Sequence, residues 1–290
     1  MENFSIVTDS SCDLPASCAE RLGLTVLPLS FTIDGKEYRN YLDGHELPIH
    51  QLYTELRAGH MAKTSAVNSE AFAGAIEPLL KEGKDVLTAA FSSGLSGTCS
   101  AARVACRELA EKYPARKVFC VDTLAASLGQ GMLVYYAALR KKAGESVTEV
   151  RDWLEDNKLK MCHWFTVDDL GFLRRGGRIG AATALLGGML NIKPVMHMDD
   201  AGHLAAVGKV RGRRASLNAL VDHMAQTSVH PEDQTVFISH GDVPEDAEYV
   251  ASEVKRRFSV KEVMINDVGP VIGAHSGPGT VALFFFGTHR

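Results

Sequence analysis

The stretch DVLTAAFSSGLSGTCSAARVACRELAEKY, residues 85–113, decides how the chain is read. It begins with an apolar run of strand length and continues into a segment with Ala102, Ala105, Cys106 and Leu109 on one helical face. Between the two lies a loop of small and hydroxyl-bearing residues. Strand, loop and helix in that order form part of a β–α–β unit, and the pattern recurs on both sides.

Upstream, residues 4–7 read as a short strand ending in TDSSCDLP, where Ser11 or Asp13 could cap a helix with Pro15 in its first turn. LTVLPLSFTIDGKEY reads as strand, bend and strand, with Asp34-Gly35 as a hairpin turn. GHELPIHQLYTELRAG reads as a helix with His45 to Leu47 near its start and Gly59 at its end. TSAVNSEAFAGAIEPLLKEG reads as a polar loop and an amphipathic helix. Downstream, KVFCVDT is a third strand before a helix in ASLGQGMLVYYAALRKKAG.

The fold class expected is therefore α/β. The N-terminal part would be a largely parallel, Rossmann-like sheet flanked by helices, joined by right-handed crossovers. Ligands bind such sheets at the carboxyl ends of the strands. The loops after Val7, Phe91 and Val121 are polar and rich in small residues, and are expected to gather at one edge. Beyond about residue 160 glycine-rich turns and a basic run appear. We expect an N-terminal domain over 1–160 and a smaller C-terminal α/β domain over 161–290, in which TVFISHGD is a strand, PEDAEYVASEVKRRF a helix, and two further strands flank a glycine loop.

Net charge is -4, which argues against nucleic acid as the main partner. The six cysteines form no C-x-x-C pair and fit neither a zinc site nor a disulfide scaffold. With no signal-peptide pattern at the start and no apolar stretch of membrane-spanning length, a reduced, cytoplasmic protein is expected.

The serine-rich loop permits two chemistries. SGLSGT differs from the nucleophile elbow G-x-S-x-G because its second glycine comes one position early. A serine esterase or acyl transferase using Ser93 or Ser96 with His275 is still a rival reading. The other use is to hold an anion, with hydroxyls at Ser92, Ser93, Ser96 and Thr98 and a helix N-terminus behind them. The loop alone reads equally as a tight turn. No P-loop or dinucleotide fingerprint follows a strand, although a phosphate sensor stands as a third class. Thr64-Ser65 is a helix cap or a donor pair. His275 and Ser276 in GAHSGPG are anion donors or turn residues. Arg174, Arg175 and Arg178 around Gly176-Gly177 are carboxylate partners or a solvated face.

Taken together, TDSSCDLP, TSAVNSEAF, FSSGLSGTCSAA, DTLAASLGQG, FLRRGGRIG, GKVRGRRASL, ISHGD and GPVIGAHSGPGTVALFF form an ordered set over about residues 3–287. That set resembles the DegV family, bacterial fatty-acid-binding proteins that serve a fatty acid kinase. The resemblance implies two α/β domains holding a long-chain fatty acid of the palmitate, stearate or oleate class. It implies no cofactor, no metal and no catalytic residue: a separate fatty acid kinase makes the acyl phosphate. The carboxylate would be held by Thr64, Ser93 and His275, with Ser276 beside them and Arg174, in preference to Arg175, nearby. Ser92, Ser96 and Thr98 would be turn and support residues. Arg211, Arg213 and Arg214 would dock the kinase, and the protein would be a monomer. TSAVNS departs from the family's T-S-Q-P-S, losing the Gln and Pro that bear on the loop's rigidity. Material for a tail pocket is expected in ATALLGGMLNIKPVM (182–196), VALFFF and LTVLPLSF, although most of it reads equally as core.

Overall fold

The computed structural model describes residues 3–179 and 191–290. The first part of the chain runs β1 (Phe4–Asp9), α1 (Ala16–Leu22), β2 (Leu24–Leu27), β3 (Ser30–Ile33), β4 (Lys36–Arg39), α2 (Ile49–Arg57), β5 (Ala62–Ser65), α3 (Ser69–Lys81), β6 (Asp85–Ala90), α4 (Thr98–Lys112), β7 (Val118–Asp122), α5 (Leu128–Lys142) and α6 (Val147–Asn157). The remainder runs β8 (Met161–Thr166), α7 (Leu170–Arg175), β9 (Ile192–Met198), β10 (Leu204–Arg211), α8 (Arg213–Thr227), β11 (Thr235–His240), α9 (Pro244–Arg257), β12 (Glu262–Asp267), α10 (Pro270–Ser276) and β13 (Val281–Phe286).

Strands β2-β1-β6-β7 form a parallel sheet in that order. Its central strands β1 and β6 are buried at almost every position, as expected when both faces are covered. One face packs on α3 and α4 through Val7, Val86, Phe72, Ile76, Ala102 and Leu109. The other, with Ile6, Leu87 and Val121, packs on α5. The opposite side of α5 meets a six-stranded sheet of order β10-β9-β8-β13-β11-β12. In that sheet only β11 and β12 run parallel. Its far face packs on α8 and α9. α5 is thus sandwiched between two sheets, which explains its nearly unbroken burial from Leu128 to Val134. β13, last of the strands in chain order, lies in the middle of its sheet between β8 and β11.

One local reading holds and others change. Asp34 and Gly35 both adopt positive φ, 50° and 78°, in the two-residue turn between β3 and β4, as the hairpin requires. Neither Ser11 nor Asp13 caps α1, whose N-cap is Pro15 without a side-chain bond. Ser11 lies in a short 3-10 turn, and Asp13 closes that turn at φ 50° with its carboxyl directed inward. His45 to Leu47 precede α2, which starts only after Pro48. Ala62–Ser65 is not a loop: it adds to β3 as an antiparallel edge strand, pairing Thr64 with Phe31. The glycine loop between β12 and β13 contains a short helix, α10, opened by Pro270 at its first turn. α6 carries a capping box, Ser146 with Glu149.

The three loops at the carboxyl edge of the parallel sheet do gather. Phe91 donates its N–H to Asp9 (2.9 Å), Thr123 its hydroxyl to the Ala90 carbonyl (2.8 Å), and Ser127 its hydroxyl to Asp13 (2.6 Å). Gly131 in α5 sets the distance to the first of these loops, because a Cβ there would overlap the Cys12 carbonyl oxygen. Backbone cannot yield as a side chain can. Gly131→Ala is expected to destabilise the fold by about 1–3 kcal/mol, seen as a lower Tm in thermal unfolding. An unchanged Tm would mean that the helix is free to shift.

Candidate functional site

A cavity of about 850 Å³, counting space open to solvent, lies where these loops meet the six-stranded sheet and α10. Most of its wall is apolar, including Leu29, Phe91, Leu95, Phe165, Val271 and Ile272. Thr64, Ser96, Arg178 and His275 also border it.

Each polar residue is placed by a different element. Thr64 comes from edge strand β5, and its Oγ1 lies 2.8 Å from His275 Nε2. His275 sits in the last turn of α10, with its Nδ1 buried and without a partner among the described residues. A Cβ at Gly176 would overlap that nitrogen, so the glycine turn after α7 is what admits the imidazole. Arg178, just beyond the turn, donates to the carbonyls of Gly176 (2.6 Å) and Leu95 (3.3 Å), tying that turn to the serine loop. Ser96 Oγ lies 2.9 Å from Thr98 Oγ1 and accepts the Thr98 N–H at 3.2 Å. It thereby stands at the N-terminus of the 15-residue α4, whose N-cap, Gly97, has no capping side chain. Burial, and secondarily the cation of Arg178, pushes the His275 pKa down to about 4. At neutral pH the imidazole is an uncharged donor or acceptor, and the guanidinium is the fixed positive charge. Hydroxyls, a neutral imidazole, a cation and a helix N-terminus facing one cavity suit a carboxylate or similar anion.

The residues anticipated from sequence divide as follows. Thr64, His275 and Ser276 border the cavity; Ser276 is buried and its Oγ has no partner among the described residues. Ser93 does not border it: the side chain is exposed and only the backbone N–H is used, toward Asp122 (3.2 Å). Ser92 turns inward instead, donating to the Gly202 carbonyl (2.8 Å), so the next residue points out. Ser96, expected as a support residue, is the serine of this loop that borders the cavity. Arg174 is exposed at the end of α7, and Arg175 covers the Phe172 ring at 4.7 Å, whereas Arg178 reaches the cavity. Arg213 is held by Asp246 (2.7 Å) and Asp168 (3.5 Å), Arg214 lies over the Tyr249 ring at 3.5 Å, and Arg211 is exposed at the end of β10. Of the apolar stretches, Leu29 and Ala282 line the cavity and most other positions are core; residues 182–190 lie outside the described residues.

No serine triad assembles among the described residues. His275 Nε2 is engaged by Thr64, and no carboxylate bonds to the ring. Ser127, His163, Ser239 and Thr280 border the cavity as well, and none of them is among the carboxylate ligands expected from sequence; His163 is expected only as one of the histidines available as a base in the serine-hydrolase reading. Ser127 bonds both Asp13 and, at 3.0 Å, Ser239. His163 carried one signal, a lone histidine in the otherwise apolar strand MCHWFT.

The sequence model of a family described as an uncharacterised protein, DegV family, matches residues 3–288. A DegV domain-containing protein of Clostridium perfringens is 46% identical over 287 residues, covering 99% of this chain and 98% of its own. Among solved structures, one titled for fatty acid binding of a DegV family protein from Thermus thermophilus has TM-score 0.89 at 32% identity, covering 98% of this chain and 99% of that one. A stearic-acid-binding protein from Eubacterium ventriosum has TM-score 0.86 at 25% identity, with 97% of each chain covered.

Proposed function

The chain belongs to the DegV family, and we propose that it binds a long-chain fatty acid in this cavity and presents the carboxylate to a separate fatty acid kinase. The observation that carries the reading is the convergence of Thr64, Ser96, Arg178 and His275 on one otherwise apolar cavity. Here Ser96 and Arg178 take the roles that the family resemblance gives to Ser93 and Arg174. A sixteen-carbon tail offers roughly 12 kcal/mol of transfer free energy at about 0.8 kcal/mol per CH₂. Lost motional freedom offsets several kcal/mol or more of it. The carboxylate must be hydrogen-bonded to be buried at all.

Presentation is supported by the placement of Thr64, Arg178 and His275, which also border an outer cleft with Lys63 and Arg175 where a partner could approach the acid's polar end. The kinase would transfer a phosphoryl group to a carboxylate oxygen there. Docking falls to the exposed Arg211 and Arg214, since Arg213 is committed to two carboxylates.

Native mass spectrometry of the protein as purified from cells is expected to show the added mass of one palmitate- to oleate-class acid. A bare mass that persists after incubation with stearic acid would overturn the binding reading. Bound stearic acid that a fatty acid kinase with ATP never converts to acyl phosphate would overturn presentation alone.

A further inference from the structure

Strand register gives the cavity a depth scale. Ala282 on β13 lies between Phe165 on β8 and Ser239 on β11, and all three border the cavity. Two residues further along β13, on the same face, Phe284 pairs with His163 on β8. In the other direction Thr280 donates to the carbonyls of Ser276 (3.1 Å) and Gly277 (2.9 Å), beside His275. At about 3.4 Å per strand residue, the four steps from Thr280 to Phe284 place His163 roughly 14 Å from the carboxylate end. A bound acid would therefore meet His163 well down its chain.

A histidine is an unusual lining there. Its ring lies against Phe284 (4.5 Å between centroids) and Phe165 (5.5 Å). The residue is 5% exposed, and its Nδ1 is buried with no hydrogen-bond partner among the described residues. Burial pushes the pKa down to about 3, so the ring is neutral and carries one N–H and one bare nitrogen. The nearby cavity hydroxyls do not supply a partner, because Ser127 and Ser239 bond to each other and Ser127 to Asp13. Buried polar groups are rarely left unpaired. A plain alkyl chain is better lined by leucine or phenylalanine.

We propose that the cavity is shaped for a long-chain acid bearing a hydroxyl along its chain, and that His163 is the specificity-determining residue that hydrogen-bonds this hydroxyl. The inference rests on the fatty acid reading above, and the experiment separates the two. The delipidated full chain is titrated with stearic acid and with stearic acids carrying one hydroxyl at successive positions. We expect one position, or two adjacent ones, to bind about tenfold tighter than the other isomers, equivalent to about 1.4 kcal/mol. His163→Phe should abolish that advantage, read as the ratio of affinities among the isomers within the variant, so that any change in its absolute affinity for stearic acid cancels. His163→Gln, which keeps a hydrogen-bonding amide, should retain part of it. A flat series in the unaltered protein, or an advantage that survives His163→Phe, overturns the proposal. Failure of stearic acid itself to bind overturns the fatty acid reading instead.

Discussion

Arg178→Met is expected to weaken binding of stearic acid roughly 30- to 150-fold. The guanidinium is the one charged side chain among the described residues lining the cavity. Hydrogen bonds to charged groups contribute about 1.5–3 kcal/mol, and a buried carboxylate left without its partner retains its desolvation cost. Arg178 is half-buried, so the expected loss is about 2–3 kcal/mol, short of the upper range for fully enclosed pairs. The alcohol of the same chain length carries no charge and should bind the variant and the unaltered protein alike. Titration calorimetry with both ligands separates loss of a charge partner from collapse of the cavity. A second readout is local: without the neighbouring cation, the His275 pKa should rise from about 4, visible in its ring resonances. Wild-type affinity for the acid in Arg178→Met would remove Arg178 from the site.

Asp13→Asn should stabilise the protein at alkaline pH by several kcal/mol and flatten its pH dependence. Asp13 is buried, and burial raises its pKa to about 8, against an ordinary value of 3.8. Between those values the folded chain keeps a proton that the unfolded chain releases, so the Asp13 contribution to stability falls as pH rises through this window. Each pH unit in it contributes about 1.4 kcal/mol. Asparagine has no proton to lose and can still accept from Ser127. Buried histidines act in the opposite sense at lower pH: His163 and His275 have depressed pKa values, so their protonation on unfolding favours the unfolded chain as pH falls. These are common to both proteins, so the difference between the two denaturation profiles isolates Asp13. Parallel profiles from pH 5 to 9 would show that the carboxyl ionises freely in the fold.

The parallel sheet was legible because β1, β6 and β7 each couple a short apolar run to a loop of small polar residues. That coupling also places the loops together, since parallel strands end on the same edge. Elements held by tertiary contacts alone were not legible. β5 reads AKTS, with no apolar period, and is a strand because β3 offers it an edge. α10 is seven residues with a glycine inside, too short to form without α2, α7 and β5 against it. Of the residues expected at the site, Thr64, His275 and Ser276 border the cavity, whereas Ser93 and Arg174 do not. Ser93 and Ser96 are chemically identical, and only the inward turn of Ser92 decides which one meets the cavity. Arg174 and Arg178 differ in the same way, separated by a glycine pair that redirects the chain. The capping box of α6, Ser146 and Glu149, is a local signal that the sequence does carry.

The central position of β13 bears on how the protein is made. A ribosome delivers the chain from its N-terminus, and regions that can pack early do so. The parallel sheet and its helices can form from the first part of the chain, but β8 and β11 have no strand between them until Val281–Phe286 emerges. Until then the row that Ala282 completes is open, and apolar faces that later enclose the cavity are bare. If the cavity takes a fatty acid as proposed, capture would follow the emergence of β13, because the faces around the cavity are incomplete before it. Deleting β13 should leave a chain that chaperones retain, not a weaker binder.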